Sequence, residues 1–199
     1  MQPEKIIEPR FKKPLDEIDQ PENVLQTIRD FSAKPFGFLL FSGRNGTGKT
    51  FASEAILRSS PYDPNLDASP EFQSPMIKKI TQSELNMVWS KSIKDYGDTF
   101  YLLNHYSYIK LLLLDDLGTR IPSEPFMDFL YALVDYRYTN RNSLGTIITT
   151  NLNSNDMRNK FGDAFCSRVA SGQCLRFDGH DRRGLEQDFA FQKKLYKVD

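Results

Sequence analysis

Apolar and polar positions along the chain follow two periods, one typical of buried strands and the other of amphipathic helices. Five short apolar segments have strand character, and they span residues 36–41, 76–80, 108–114, 145–150 and 174–177. Residues 111–114 form a continuous apolar run without alternation, as a parallel strand covered on both faces requires. We therefore expect this segment to be a buried parallel strand.

Apolar residues at helical spacing precede the first predicted strand and separate the later ones. The segments with this spacing are residues 24–31, 50–57, 85–93 and 126–134, and a further helical stretch follows Ser154. Ser83 and Ser123 precede two of them as candidate N-caps. Strands that alternate with helices predict an α/β fold, in which a five-stranded, mostly parallel sheet lies between two layers of helices.

The remaining segments predict loops and extensions around one domain, which the length of 199 residues suits. Residues 59–75 carry four prolines and little periodicity, so we expect an unconstrained surface loop. An added interaction surface is the alternative. We divide the chain into a lead-in with a short helix at residues 1–35, a core at residues 36–185 and a basic tail at residues 186–199.

Charge and cysteine content exclude several function classes. Lys plus Arg number 26 and Asp plus Glu number 26, so the net charge of zero gives no bulk electrostatic reason for nucleic-acid binding. Cys166 and Cys174 lack a C-x-x-C spacing and the two histidines are far apart, so we expect ordinary thiols and no zinc site. No apolar stretch approaches the roughly 20 residues of a membrane span, and the start lacks a secretion signal, which predicts a cytoplasmic protein.

Residues 43–50 read G-R-N-G-T-G-K-T, which matches the nucleotide-phosphate loop G-x-x-x-x-G-K-[ST] directly after a predicted strand. The glycines let the backbone approach phosphate oxygens, Lys49 can reach the β- and γ-phosphates, and the Thr50 hydroxyl can ligate Mg²⁺. A glycine turn that happens to end in Lys-Thr is the alternative. The pattern predicts ATP or ADP with Mg²⁺ as cofactors, bound by Gly43, Asn45, Gly46, Thr47, Gly48, Lys49, Thr50 and Phe51.

Polar residues follow two of the predicted strands, at the sheet edge where parallel strands bind ligands. Asp115 is placed to hold Mg²⁺, through water or through Thr50, and Asp116 could orient and deprotonate an attacking water. Asn151 follows the fourth strand and could hold that water opposite the γ-phosphate. Asp and Asn are also common turn residues, so a purely structural role stays open.

Arginines beyond the fourth predicted strand are candidates for stabilising charge on a transferred phosphoryl group. Arg168 lies in F-C-S-R-V-A, and Arg182 and Arg183 follow the last predicted strand. An exposed or salt-bridged arginine is the alternative at each of these positions.

The order of these motifs resembles the AAA+ ATPases of the DnaC/IstB type, a group of replicative-helicase loaders and transposition ATPases related to the initiator DnaA. The resemblance covers residues 36–183 and rests on F-S-G-R-N-G-T-G-K-T, L-L-L-L-D-D-L-G, T-I-I-T-T-N, S-R-V and F-D-G-H-D-R-R in that order. It implies a P-loop NTPase fold of the AAA+ type, and we expect no separate C-terminal lid domain.

The resemblance also implies roles for individual residues. Lys49 and Thr50 would bind phosphate and Mg²⁺, and Asp115 and Asp116 would form the second acidic motif. Asn151 would be the first sensor and Arg183 a second sensor-like residue. Arg168 would be the arginine finger that acts on a neighbour's nucleotide. The group often shows G-x-S-Y-R at that last site, whereas Asp181-Arg182 replaces Ser-Tyr here. Loaders usually carry an N-terminal domain that grips the helicase, and only the lead-in precedes the first core strand here, so a minimal form or a partner contact elsewhere is expected.

The leading hypothesis is a slow, partner-stimulated ATPase that assembles head to tail and completes its site with Arg168 of the next subunit. It would use ATP binding to grip single-stranded DNA, a replicative helicase or a transposase. A nucleotide-gated adaptor with negligible turnover is the second hypothesis. A small-molecule kinase is the third, although Arg137 and Arg141 are the only arginines between residues 121 and 144 that could serve in a lid. The basic tail at residues 192–197 gives a modest clue to DNA contact, which a solvated helix end explains equally well.

Overall fold

The computed structural model describes residue 15 and residues 18–178. In chain order its elements are α1 (Glu22–Ala33), β1 (Gly37–Gly43), α2 (Lys49–Ser59), β2 (Asp67–Ser69), β3 (Ser74–Pro75), β4 (Ile77–Thr81), α3 (Gln82–Tyr96), α4 (Phe100–Tyr108), β5 (Leu111–Leu117), α5 (Glu124–Thr139), β6 (Gly145–Thr150), α6 (Ser154–Val169) and β7 (Gln173–Phe177). Residues 1–14, 16 and 17 of the predicted lead-in, the second-sensor candidate Arg183 and the predicted tail 186–199 lie outside the described residues. No helix within these ranges is long and apolar enough to cross a membrane.

Five strands form one parallel sheet in the order β4-β5-β6-β1-β7. The predicted five-stranded sheet is confirmed, and all of its ladders are parallel. Because the strands are parallel, their carboxyl ends meet at one edge of the sheet. The loop that follows β1 therefore lies between the ends of β6 and β7.

Helices cover both faces of this sheet and bury two separate cores. On one face, Leu39 and Leu113 pack with side chains of α1 and α2. On the other face, Leu40 and Leu112 pack with side chains of α3, α4, α5 and α6. Successive residues of a strand point to opposite faces, so the unbroken apolar runs of β1 and β5 serve both cores. The predicted three-layer arrangement is confirmed.

One helix was not predicted and the starts of β5 and α3 lie elsewhere than predicted, while the starts of the other predicted strands agree within one residue. Helix α4 received no prediction, and because it extends to Tyr108, β5 begins at Leu111. The helix is rich in aromatic residues and Thr99 makes no side-chain cap bond, so the usual helix signals are weak. At α3, the cap is Thr81 and not Ser83, because Thr81 and Glu84 form a reciprocal capping box.

Residues 59–75 are more ordered than a free surface loop. Strands β2 and β3 form a short antiparallel hairpin, and the Phe72 ring between them stacks on Tyr108 with centroids 5.4 Å apart. The Phe72 carbonyl also lies 2.9 Å from His105 Nδ1 on α4. The expectation of an unconstrained loop is wrong, because Phe72 finds its partners on a helix that the sequence pattern did not reveal.

Arg137 on α5 is fully buried beside the amino ends of β5 and β6. Its guanidinium donates to the carbonyl oxygens of Tyr106, Ser107, Ile109 and Gly145 and to the hydroxyl of Thr146. These bonds tie the end of α4 and Ile109, which follows it, to the first two residues of β6. Arg137 is thus enclosed in the fold and is not available as a lid arginine, which removes one support of the kinase hypothesis.

Candidate nucleotide-binding site

The loop between β1 and α2 has the backbone shape that the phosphate-loop motif predicts. Gly48, the residue before α2, has a φ of 95°, a left-handed conformation that residues with side chains rarely adopt. A Cβ at Gly43 would lie 2.2 Å from the carbonyl oxygen of Phe177, so β7 leaves room for glycine alone. The loop therefore places the N-terminus of α2 at the carboxyl edge of the sheet, where the helix dipole favours an anion.

Three further residues of the predicted binding set support or border this loop. Thr47 is 1% exposed, and its hydroxyl donates to the Arg44 carbonyl at 3.0 Å. Phe51 is half-buried and packs against the core between the sheet and α2. Asn45 is exposed at the crest of the loop. Their contacts with nucleotide stay predictions.

Lys49 joins the loop to the end of β6. Its Nζ donates to the carbonyl oxygens of Gly43 at 2.8 Å and Arg44 at 2.7 Å, and to Asn151 Oδ1 at 2.7 Å. Lys49 is only 6% exposed, so the ammonium is held by these oxygens in a largely buried position. The structure thus brings the predicted phosphate lysine and the predicted first sensor into direct contact.

Asp115 lies at the carboxyl end of β5 and meets the loop through Thr50. Its Oδ1 accepts hydrogen bonds from Thr50 Oγ1 at 3.1 Å and from Thr149 Oγ1 at 2.6 Å. Asp115 is 3% exposed. A hydroxyl and a carboxylate that converge in this way are hard oxygen ligands of the kind that Mg²⁺ prefers.

The protein supplies few metal ligands here, which suits Mg²⁺ better than a metal whose ligands all come from protein side chains. Among the residues that the structure describes, no group of three or more His, Cys, Asp or Glu could hold an ion. Mg²⁺ usually takes one or two protein oxygens and completes its shell with water and phosphate oxygens. Thr50 and Asp115 are the residues that would hold it here.

Asp116 departs from the strand geometry of its neighbours. Its φ is 56°, and the pairing of β5 with β6 shifts register between Leu114 and Leu117. The Asp116 N–H donates to Thr149 Oγ1 at 2.8 Å. Asp116 therefore leaves the regular extended conformation of β5 at the edge of the sheet where Asp115 lies.

Thr149 is a site residue that the sequence reasoning missed. Its hydroxyl donates to Asp115 and accepts from the N–H of Asp116, so one oxygen holds both acidic residues in place. The signal for it in the sequence is the T-T-N run at the end of β6, which also contains Asn151.

Lys79 and Glu54 were also missed. Lys79 Nζ on β4 lies 2.6 Å from Glu54 Oε1 and 3.1 Å from Asp115 Oδ2. Burial lowers the pKa of Lys79, but its hydrogen bonds and ion pairs with Glu54 and Asp115 outweigh this effect, so the net shift is upward. No motif marks either residue, since the contact depends on how β4 pairs with β5.

A cavity of about 640 Å³ adjoins the loop between the ends of β6 and β7. Its walls include Arg44, Asn151, Asn153, Arg176 and Phe177. Its position next to Lys49 and Asn151 makes it part of the candidate site, with two arginines on its walls.

Arg168 lies near the end of α6 and contacts α5. It forms an ion pair with Asp135, donates to the Ala164 carbonyl at 3.0 Å, and lies over the Tyr131 ring at 4.7 Å from the centroid. A second ring, that of Tyr138, has its centroid 5.9 Å away. The structure does not bring Arg168 into contact with the phosphate loop of its own chain.

Curated proteins similar to this chain in sequence include the following two. One is named as the ATP-binding protein of insertion sequence IS232 from Bacillus thuringiensis subsp. berliner, with 29% identity over 160 residues, which cover 76% of this chain and 58% of that protein. The other is the replicative helicase loader DnaC of Escherichia coli K12, with 24% identity over 151 residues, 75% of this chain and 56% of DnaC. The chain therefore spans a little over half the length of these relatives. No protein-family model matches the chain.

Solved structures show the same fold. A crystal structure of the DnaC helicase loader has a TM-score of 0.66 and 24% identity, over 83% of this chain and 96% of that one. The initiator DnaA bound to AMPPCP and single-stranded DNA has a TM-score of 0.65 and 14% identity, over 94% of this chain and 56% of that one. The sequence relatives and these folds together confirm the predicted resemblance to DnaC/IstB-type AAA+ proteins and the P-loop fold.

Proposed function

We propose that this DnaC/IstB-like AAA+ domain binds ATP with Mg²⁺ and hydrolyses it to ADP and phosphate. The observation that carries the proposal is a pair of contacts, from Lys49 Nζ to Asn151 Oδ1 and from Thr50 Oγ1 to Asp115 Oδ1. They join the phosphate loop to the ends of β5 and β6, and the charged groups of Lys49 and Asp115 in these contacts are largely buried. Such a cluster is typical of a functional site, because burial of charge is otherwise costly.

Each residue has a distinct role in this proposal. The phosphates lie over the N-terminus of α2, where backbone N–H groups and Lys49 stabilise their charge. Thr50 and Asp115 would hold Mg²⁺, which would supply positive charge against the phosphates when bound. Asp116 orients the attacking water and accepts its proton, while Asn151 holds that water opposite the γ-phosphate.

Arg168 completes the site of a neighbouring copy. Its ion pair with Asp135 and its position over Tyr131 hold it on the surface formed by α5 and α6, away from its own loop. A head-to-tail assembly would present this surface to the next subunit, where the guanidinium could stabilise charge on the γ-phosphate. Turnover by separate chains would then be slow and would increase with assembly.

We place this activity in the cytoplasm, in DNA replication or transposition. The relatives include a helicase loader and a protein of an insertion sequence, and one structural neighbour is bound to single-stranded DNA. These names suggest three partner classes, namely a replicative helicase, a transposase and single-stranded DNA. In this proposal residues 36–185 form the ATPase core, between a lead-in at 1–35 and a basic tail at 186–199.

A nucleotide-gated adaptor with negligible turnover is the second candidate. It is favoured by the three oxygens that already surround Lys49 Nζ, because phosphate must displace some of them before charge can be stabilised. A single-turnover assay with enzyme in excess separates the two candidates. An adaptor would hold ATP intact, whereas an ATPase would convert the bound ATP to ADP.

Nucleotide binding tests the shared premise. Titration of a fluorescent ATP analogue with Mg²⁺ into the full chain should saturate, and Lys49→Ala should weaken binding about tenfold or more, because a charge-assisted contact to phosphate is lost. Lys78→Ala makes the same change in charge on β4, away from the loop, and should leave affinity unchanged. Equal binding by wild type and Lys49→Ala would overturn the proposal.

A further inference from the structure

Lys79 lies between two buried carboxylates beside the candidate Mg²⁺ site. Its Nζ is 2.6 Å from Glu54 Oε1 on α2 and 3.1 Å from Asp115 Oδ2 on β5. Glu54 is 4% exposed and Asp115 is 3% exposed. Glu54 follows Thr50 by four residues on α2, so both lie on the same face of that helix. Glu54 is therefore one helical turn from the residue that would ligate Mg²⁺ together with Asp115.

The sheet register places these charges on one face. Thr81 pairs with Asp115 and Lys79 pairs with Leu113, so the odd-numbered residues of β4 and β5 share the face that α2 covers. Lys78 points to the opposite face, where its neighbour on that side, Ile80, packs with the other core. Two adjacent lysines of one strand thus have different surroundings.

The ion pair with Lys79 provides most of the stabilisation that offsets the burial of the Glu54 carboxylate. Its Oε1 accepts from Lys79, whereas its Oε2 is buried and has no hydrogen-bond partner among the described residues. A buried carboxylate in this state is stabilised mainly by its counter-ion. Lys79 is therefore shared, and its charge is divided between Glu54 and Asp115.

We propose that the Glu54–Lys79 pair positions Asp115 for Mg²⁺. Lys79 holds Oδ2 of Asp115, which directs Oδ1 toward Thr50. Glu54 keeps Lys79 from neutralising Asp115, so the cluster of one cation and two carboxylates retains a net negative charge toward a divalent ion. This inference rests on the proposed function. Lys79 and Glu54 are positioning residues, because they act on the metal through Asp115.

The Mg²⁺ concentration that half-saturates binding of N-methylanthraniloyl-ADP to the full chain measures this effect. The double variant Glu54→Gln with Lys79→Met removes both charges with little change in volume, and it should raise that concentration about tenfold, as loss of outer-shell partners does. Glu54→Gln alone should also raise the half-saturating Mg²⁺ concentration, because Lys79 then pairs with Asp115 alone and neutralises its charge. Lys78→Met is the matched control on the opposite face, and it should leave the midpoint unchanged.

Affinity for the same nucleotide in EDTA separates this inference from the proposed function. Neither Lys79 nor Glu54 contacts the phosphate loop, so the variants should keep the metal-free affinity within about twofold. Wild-type protein that binds no nucleotide, or binds it without regard to Mg²⁺, would contradict the proposed function itself. If wild type depends on Mg²⁺ and the variants have the same midpoint, the positioning role of Glu54 and Lys79 is overturned. The proposed function would then stand. Glu54→Gln conserves the shape of the side chain and one acceptor oxygen, and it decides the question if the double variant does not fold.

Discussion

Lys49 Nζ lies 2.7 Å from Asn151 Oδ1, although 102 positions separate the two residues in the chain. The same ammonium donates to the carbonyl oxygens of Gly43 and Arg44. Phosphate oxygens of ATP would compete with Asn151 for this ammonium. Nucleotide entry is therefore expected to release the Asn151 amide, which links ATP binding to the positioning of the attacking water.

Asn151→Ala should separate binding from turnover. The side chain is expected to act on the water and not on the bound phosphates, so hydrolysis should fall about 100-fold, as it does when one positioned donor is removed. The dissociation constant for ATP, measured by fluorescence titration, should change much less.

Asn153→Ala is the control for this variant, because Asn153 lines the same cavity but caps α6 through the N–H of Asp156. It should lower the free energy of unfolding by about 1 kcal/mol and leave hydrolysis per folded protomer intact. Equal losses of hydrolysis in the two variants would contradict the sensor role of Asn151.

Asp116→Asn should remove hydrolysis and preserve the fold. Asn tolerates the positive φ of this position at least as well as Asp, so the melting temperature should stay close to that of wild type. Turnover should fall about 100-fold or more, because an amide does not accept the proton of the attacking water. Wild-type turnover in this variant, measured as phosphate release, would show that another group is the base.

Thr149→Val should remove the hydrogen bonds that hold both Asp115 and Asp116 in place. Loss of the hydroxyl removes a hydrogen bond to Asp115 and leaves the Asp116 N–H without its acceptor, which costs about 1–3 kcal/mol of stability. Hydrolysis per folded protomer should also decrease. Thr150→Val is matched to it, because the Thr150 hydroxyl bonds to the Leu117 carbonyl and the Leu152 N–H. That control should show a similar loss of stability in chemical denaturation with nearly unchanged turnover.

Local patterns were sufficient to predict those parts of the candidate site whose residues lie within one short segment of the chain. The phosphate loop, Asp115 and Asp116 after a buried run, and Asn151 after the next strand all carry their signal within a few residues. The five strands and their parallel arrangement followed from the same periodicity. The structure added the contacts between these segments.

The missed features depend on pairing between distant segments. Lys79 reaches Asp115 only because β4 pairs with β5 in a particular register. The Phe72 hairpin and α4 stabilise each other through aromatic stacking and a contact with His105. The local pattern of one sequence does not reveal such contacts. A lysine or an aromatic residue at the same spacing is usually an ordinary surface or core residue, and nothing in the pattern distinguishes the two cases.

Arg137→Met should destabilise the whole domain. Five oxygens lose their donor in a fully buried position, and the free energy of unfolding should fall by about 3 kcal/mol or more. Arg141→Met is the matched control, because Arg141 is exposed and contacts only Tyr138 of the described residues. Its effect in urea denaturation should be much smaller. Comparable losses would contradict the structural role assigned to Arg137.

ATP hydrolysis by the full chain, measured over a range of protein concentrations with and without single-stranded DNA, tests the central claim most directly. The account predicts phosphate release above the Lys49→Ala variant, with a rate per protomer that rises with concentration because Arg168 is supplied by a neighbour. A mixture of Lys49→Ala and Arg168→Ala chains should recover part of the activity, since each supplies the group that the other lacks. Hydrolysis no greater than that of Lys49→Ala at every concentration, with and without DNA, would contradict the account.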